Sequence, residues 1–130
     1  PLLDRIDIHI EVPAVEFKEL SSKQPGTPSR EMRQAVESAR ELQNERFNSS
    51  RIVCNAQMNS KQVREFCELD QQGHTLLKDA VNDMGLSPRA HDRILRLPRT
   101  IADLEGAATI REVHIQEAVN YRVLDRQIWT

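Results

Sequence analysis

Aromatic side chains are scarce in this 130-residue chain: three Phe, one Tyr and one Trp, 4% in all. Any core must therefore be aliphatic. Leu, Ile, Val and Phe together supply 33 residues, about a quarter of the chain and above the range of disordered sequences. Glycine is equally sparse, with four residues at 26, 73, 85 and 106, and none sits in a Gly-x-x-x-x-Gly-Lys-Ser/Thr phosphate loop. Two cysteines, Cys54 and Cys67, lack metal-ligand spacing and make no disulfide framework; burial as ordinary thiols is expected of both. The histidines, His9, His74, His91 and His114, fall on separate expected elements, so surface or capping roles are favoured and no metal site is expected. Neither sign of charge dominates: 18 Lys+Arg stand against 20 Asp+Glu, a net charge of −2. That balance argues against a polybasic nucleic-acid coat but leaves room for a local basic face. No apolar run approaches the ~18 residues of a membrane span, and no secretory n-region and h-region opens the chain. The expectation is a mainly helical domain of a reduced, cytoplasmic compartment.

What is present is organised in two parts. Ile6-Asp7-Ile8-His9-Ile10-Glu11-Val12 alternates apolar and polar residues and closes at Pro13, the pattern of a half-buried strand. A lone strand cannot satisfy its own backbone groups. The expectation is therefore a piece of a longer protein whose sheet lies upstream of Pro1, with an orphan edge at 6–12 through which the chain self-associates. Ser21 to Ser29 is Pro/Gly-containing loop and the expected boundary.

Beyond it the spacing predicts four or five helices in a bundle. The first is capped by Thr27 or Ser29 with Pro28 in its first turn, and carries an apolar stripe of Met32, Ala35, Val36, Ala39 and Leu42 running to Phe47. Its charged face, with Arg40, Glu45 and Arg46 among others, reads as solvated. After an irregular stretch at 48–59, Ser60 caps a short helix with Val63, Phe66 and Cys67. Asp70 caps the next, with Leu76, Leu77, Ala80, Val81 and Met84 as its stripe and Gly85 as its stop. Ser87-Pro88 restarts a helix that ends at Gly106 and is expected to kink or break at Pro98. A last helix spans about Val113 to Asp125, burying Ile115, Ala118, Val119 and Val123.

Several stretches, in order along the chain, resemble the magnesium-chelatase-like AAA+ ATPases of the bacterial ComM/YifB competence type. They are Pro-Leu-Leu-Asp-Arg-Ile-Asp (1–7), Asn-Ala-Gln-Met (55–58), Phe-Cys-Glu-Leu-Asp (66–70), Leu-Ser-Pro-Arg-Ala-His-Asp-Arg-Ile-Leu (86–95), Arg-Thr-Ile-Ala-Asp-Leu-Glu-Gly (99–106) and His-Ile-Gln-Glu-Ala-Val-Asn-Tyr-Arg (114–122). Each is short; together they cover essentially the whole chain.

The resemblance implies that residues 1–27 are the tail end of an AAA+ core, with the arginine-finger motif and last strand. Residues 28–130 would then be the C-terminal helical lid. It implies that Arg5 is the arginine finger, acting in trans on the ATP site of a neighbouring subunit in a homo-oligomeric ring. A guanidinium suits that task, being permanently charged and forked toward phosphate oxygens. Arg89, in the first turn of the Ser87-Pro88 helix, matches the sensor-2 arginine; Arg93, one turn on, is a second-rank nucleotide or lid-surface contact. ATP and Mg²⁺ are implied for the parent and no cofactor for this piece, because the phosphate loop, the acidic metal-binding motif and sensor 1 are missing from it. The resemblance further implies a DNA-binding branch-migration motor of natural transformation. Pro98 departs from the pattern where a helix-compatible residue is expected.

The competing expectation is an ATP-independent helical DNA- or protein-binding module. Gly85-Leu86-Ser87 would be the turn of a helix-turn-helix, and Arg89, Arg93 and Arg96 its phosphate contacts. The slightly acidic balance and Pro98 in the would-be recognition helix count against it.

Overall fold

The computed structural model describes residues 5–122, without the side chains of residues 88 and 89. Helices follow in the order α1 (Phe17–Leu20), α2 (Ser29–Arg46), α3 (Ser60–Phe66), α4 (Gln71–Met84), α5 (Pro88–Glu105) and α6 (Glu112–Asn120), with a 3-10 turn at Asn55–Gln57 between α2 and α3. Local chemistry sets most of their ends. Asp70 accepts the Gly73 N–H at 2.7 Å and starts α4. Gly85 at φ 61° and Gly106 at φ 75° occupy the left-handed region that closes α4 and α5. Beyond them the N–H groups of Leu86 and Ala107 return to the carbonyls of Val81 and Ala102, the usual closure around a glycine of this kind. The caps of two helices differ from expectation. Asn59 rather than Ser60 caps α3, by reciprocal bonds with Gln62 at 2.9 and 3.0 Å. Neither Thr27 nor Ser29 caps α2, which follows Pro28 with no side-chain cap.

α5 is the hub of the fold. α2, the 3-10 turn, α3 and α6 all pack on it, and α4 packs on α6. Ile94, Leu95 and Ala102 of α5 meet Ile115 of α6, Leu77 of α4, and Val63 and Cys67 at α3, with Phe47, Met58 and Ile110 closing the core. Two of the few aromatics, Phe47 and Phe66, pair edge-to-face at 5.6 Å. The close fit of α4 against α6 explains Gly73: a Cβ there would lie 3.0 Å from Ile115 Cδ1 and 3.0 Å from Asp70 Oδ1.

Through this core runs a polar network that includes Arg46, a residue expected on the solvated face of α2. The Asp103 side chain is fully buried. Arg46 grips it with two bonds of 2.8 and 2.6 Å, Asn55 donates to it at 2.8 Å, and Arg99 lies 3.1 Å away. Asn55 in turn accepts from Arg46 at 2.8 Å and donates its backbone N–H to Gln43 at 2.9 Å. Arg99 also donates to the carbonyls of Ala107 and Ala108 at 2.8 and 3.1 Å. Burial pushes the Asp103 carboxyl up, but the hydrogen bonds from Arg46 and Asn55 and the two guanidinium charges outweigh it and hold it below the usual carboxylate range.

Other expectations are also corrected. No strand is present among the described residues: Ile6–Val12 is irregular chain with a bend at Asp7. The described elements are otherwise helical and offer no ladder, so one backbone bond, from the His9 N–H to the Tyr121 carbonyl at 2.7 Å, replaces strand pairing. Self-association through a strand at 6–12 loses its basis with it. α5 passes through Pro98 without a break; the ring is itself buried in the packed interior. The stripe of α2 is covered only at its C-terminal end. Ala39, Gln43 and Phe47 are buried, whereas Met32, Val36 and Leu42 are 55, 50 and 38% exposed. α1, a single short helix at Phe17–Leu20, was not anticipated. The expected end of the last helix at Asp125, and the burial of Val123, lie outside the described residues.

Removing the Asp103 carboxylate would leave the buried Arg99 and the part-buried Arg46 guanidinium uncompensated. Asp103→Ala is expected to destabilise the chain by about 3–5 kcal/mol, read as a lowered urea midpoint. Because its folded pKa is depressed, the stability it contributes is full above about pH 4 and is lost as pH falls through the folded value. The stability gap between the native chain and Asp103→Asn should therefore narrow on acidification below pH 4. The cysteines give a second test. Burial pushes the Cys67 thiol up to about 11, while Cys54 is only half-buried. Maleimide at pH 8 should add once to the native chain, at Cys54, and twice in denaturant, as counted by intact mass.

Candidate functional site

Arg5 begins the described chain and is exposed; Leu2 to Asp4 of its motif lie outside the described residues. The segment that follows it is strapped across one end of the helical bundle. Asp7 bonds Arg93 of α5 at 2.9 Å, Arg122 Nη1 donates to the Ile6 carbonyl at 2.9 Å, and the His9 N–H reaches Tyr121 at the end of α6. His9 is buried beneath this strap while Ile6, Ile8 and Ile10 around it remain exposed. The inward turn of a single histidine has no sequence signal, since the alternating pattern marks the isoleucines as the buried set.

Arg89 lies in the first turn of α5, and its side chain is outside the described set. Ser87 stands at the N-cap in extended conformation without a side-chain cap bond. Free first-turn N–H groups and the helix dipole favour an anion at such an end. One turn further, Asp92 accepts the Ser60 hydroxyl at 2.6 Å and faces His91 at 3.5 Å. These bonds, chiefly that from Ser60, hold its carboxyl below the usual carboxylate range. A recess of about 210 Å³ lies beside this end, lined by His74, Leu77, Lys78, Val81, Asn82 and His91.

The structure therefore brings the backbone positions of the three sequence candidates, Arg5, Arg89 and Arg93, into one neighbourhood. Asp7 is two residues from Arg5, and Arg93 is four residues from Arg89 on the same helix. Arg93 is engaged with Asp7. Arg96 is also committed internally, donating to the Met58 carbonyl at 2.6 Å. Two of the three arginines required by a helix-turn-helix reading are thus bonded within the chain, and α4 packs principally on α6 rather than on α5.

At the far end of α5, about 16 Å along the axis from Arg93, a larger open groove of 610 Å³ runs between α2 and the α5 terminus. Its charged lining, Glu31, Glu41, Glu45, Asp103 and Glu105, is unsuited to phosphate. Next to it, His114 Nδ1 accepts the Arg111 N–H at 2.9 Å, which leaves its ring proton on Nε2, bonded to Glu105. That bond, together with Arg111 at 2.6 Å, holds the Glu105 carboxyl below the usual range. His114 is thus a capping residue that locks the start of α6. Among the described residues no group of three or more His, Cys, Asp or Glu is arranged to hold a metal ion. No helix among them is long and apolar enough to cross a membrane.

Residues 26–122 match the family described as magnesium chelatase, subunit ChlI C-terminal. The chain is 40% identical over 127 residues to the competence protein ComM of Haemophilus influenzae, and 39% identical over 127 residues to the uncharacterized protein YifB of Escherichia coli. YifB of Salmonella typhimurium is 36% identical over the same length. Each alignment covers 97% of this chain and 24% of the relative, so the chain spans about a quarter of the length of the curated relatives it matches. A helical bundle centred on α5, matched over three quarters of its length by one family, belongs to that family: the chain is a magnesium-chelatase C-terminal domain of the ComM/YifB type.

Proposed function

We propose that the chain is the lid portion of a ring-forming, magnesium-chelatase-like AAA+ ATPase, with a boundary near residues 27 and 28 between the end of the ATPase core and the lid. In this reading Arg5 reaches the ATP site of a neighbouring subunit as the arginine finger, and Arg89 contacts nucleotide phosphate from the start of α5. Arg93 holds the strap rather than the nucleotide. The parent acts on DNA as a branch-migration motor in natural transformation, in the cytoplasm, with ATP and Mg²⁺ as its cofactors.

The observation that carries this reading is the strap itself. It holds the Arg5 segment beside the N-terminal part of α5, so that Arg5 and the start of the helix that bears Arg89 lie at one end of the domain. A permanently charged, forked guanidinium matches charge spread over phosphoryl oxygens, and stabilisation of that charge is worth ~10³–10⁵ in turnover in well-studied nucleotide hydrolases. Within this reading the residues of this chain offer the nucleotide phosphate contacts, and Mg²⁺ would be held by the rest of the parent.

Steady-state ATP hydrolysis by the full-length parent tests the assignment. Arg5→Ala should lower turnover by two decades or more, roughly 3 kcal/mol in barrier, with nucleotide binding intact. Unchanged turnover would remove the finger and leave a shared fold without a catalytic part.

A further inference from the structure

The strap at Ile6–His9 has an uneven set of anchors. Two of them, the Arg122 bond to the Ile6 carbonyl and the His9 N–H bond to Tyr121, lie at the end of α6. The third, Asp7 to Arg93 at 2.9 Å, is the described ion pair between the strap and α5. Its side chains are 57 and 30% exposed. A pair so open to water adds little to folding stability, and screening by salt weakens it further. Its effect lies in geometry instead. Arg5 is two residues from Asp7, so its Cα lies within about 7 Å of the Asp7 Cα. With Asp7 fixed on α5, the guanidinium of Arg5 sweeps a small volume referenced to that helix. With Asp7 released, this described tie to α5 is lost and the sweep widens.

Arg93 is four residues, one turn, from Arg89, and α5 is rigidly built: Asp103 and Arg99 near its other end are locked into the buried network. Asp92, beside Arg93, is taken by Ser60 at 2.6 Å, which ties the same turn of α5 to α3. The strap is thus joined to a helix tied to its neighbours near both ends, which moves as one rigid body with them.

We infer that Asp7 and Arg93 are positioning residues for Arg5: their ion pair tethers the finger segment to α5, so that displacement of the helix bearing Arg89 is carried to Arg5. The inference rests on Arg5 being the finger and adds a regulatory link between the two arginines. Displacing a reacting group by about 1 Å can reduce a rate ~10²-fold, so a tether of little thermodynamic weight can control turnover.

The test uses the full-length protein and a cycle of substitutions. Arg93→Gln and Asp7→Asn should each lower kcat for ATP about tenfold or more, leave KM and oligomeric state unchanged, and barely move the thermal midpoint. Arg93→Lys, which keeps the charge, should restore part of the loss. In an Arg5→Ala background, Arg93→Gln should cause no further loss, because a residue acting through Arg5 has nothing left to position. Hydrogen exchange at the amides of Ile6 to His9 should rise in Arg93→Gln, an effect independent of catalysis. Faster exchange with unchanged kcat, or an equal loss of kcat with and without Arg5, would overturn the inference while leaving the finger standing. An Arg5→Ala protein with full turnover would overturn both.

Discussion

A carboxylate sealed from water has to be met by donors on every side, and the Asp103 side chain is met from three elements. Arg46 comes from the end of α2, Asn55 from the 3-10 turn, and Arg99 from the preceding turn of its own helix. Neither guanidinium could be buried without the carboxylate, nor the carboxylate without them. The contact therefore fixes where α2 ends relative to α5 and why the chain between them folds inward at Asn55. Its reach extends further through Arg99, whose bonds to the Ala107 and Ala108 carbonyls shape the connection into α6. From there the His114–Glu105 bond sets the start of α6, and α6 carries Tyr121 and Arg122 to the strap. The candidate site at one end of α5 is thus referenced to a polar centre near the other.

Such a centre orders parts that hydrophobic burial would leave free to slide. Aliphatic side chains of similar size can repack with small penalties, whereas a forked guanidinium on a carboxylate admits one arrangement. With few aromatics in the chain, the core has little of the shape specificity that large rings provide. The network supplies it instead, and the Phe47–Phe66 pair adds the rest on the α2–α3 side.

The parts of this fold legible in the sequence were those determined by neighbours in the chain. Asp70 at a helix start and Gly85 and Gly106 at helix ends act through bonds a few residues long, and all three serve as expected. Ile94, Leu77 and Ile115 announce burial by their spacing. Arg46, Asn55 and Asp103 did not, because their partners are distant: Arg46 and Asp103 are 57 residues apart. On a helix whose exposed residues are also charged, a part-buried arginine has no local mark. The strand at Ile6–Val12 failed for the converse reason. Its alternation is a local signal, but a strand exists only with a partner, and the described elements present helices. Pro98 removes one donor from α5, yet a helix packed against four other elements tolerates that loss. The candidate arginines were legible through family motifs, whereas the engagement of Arg93 by Asp7, 86 residues away, required the fold.

α2 projects its N-terminal half beyond the part that the core holds. Ala39, Gln43, Arg46 and Phe47 clamp its last two turns, while the turns bearing Met32 and Val36 lie open. Mechanically this is a cantilever about 15 Å long, the residues from Ser29 to Ser38 at 1.5 Å each, with its fixed end at the buried carboxylate. A load applied near Met32 acts with a long lever arm, and its torque arrives at the clamp, where Arg46 meets α5. Bending is resisted along the rod by its own backbone bonds. The yielding point under such a load is therefore the Arg46–Asp103 joint, the same contact that locates the helix at rest.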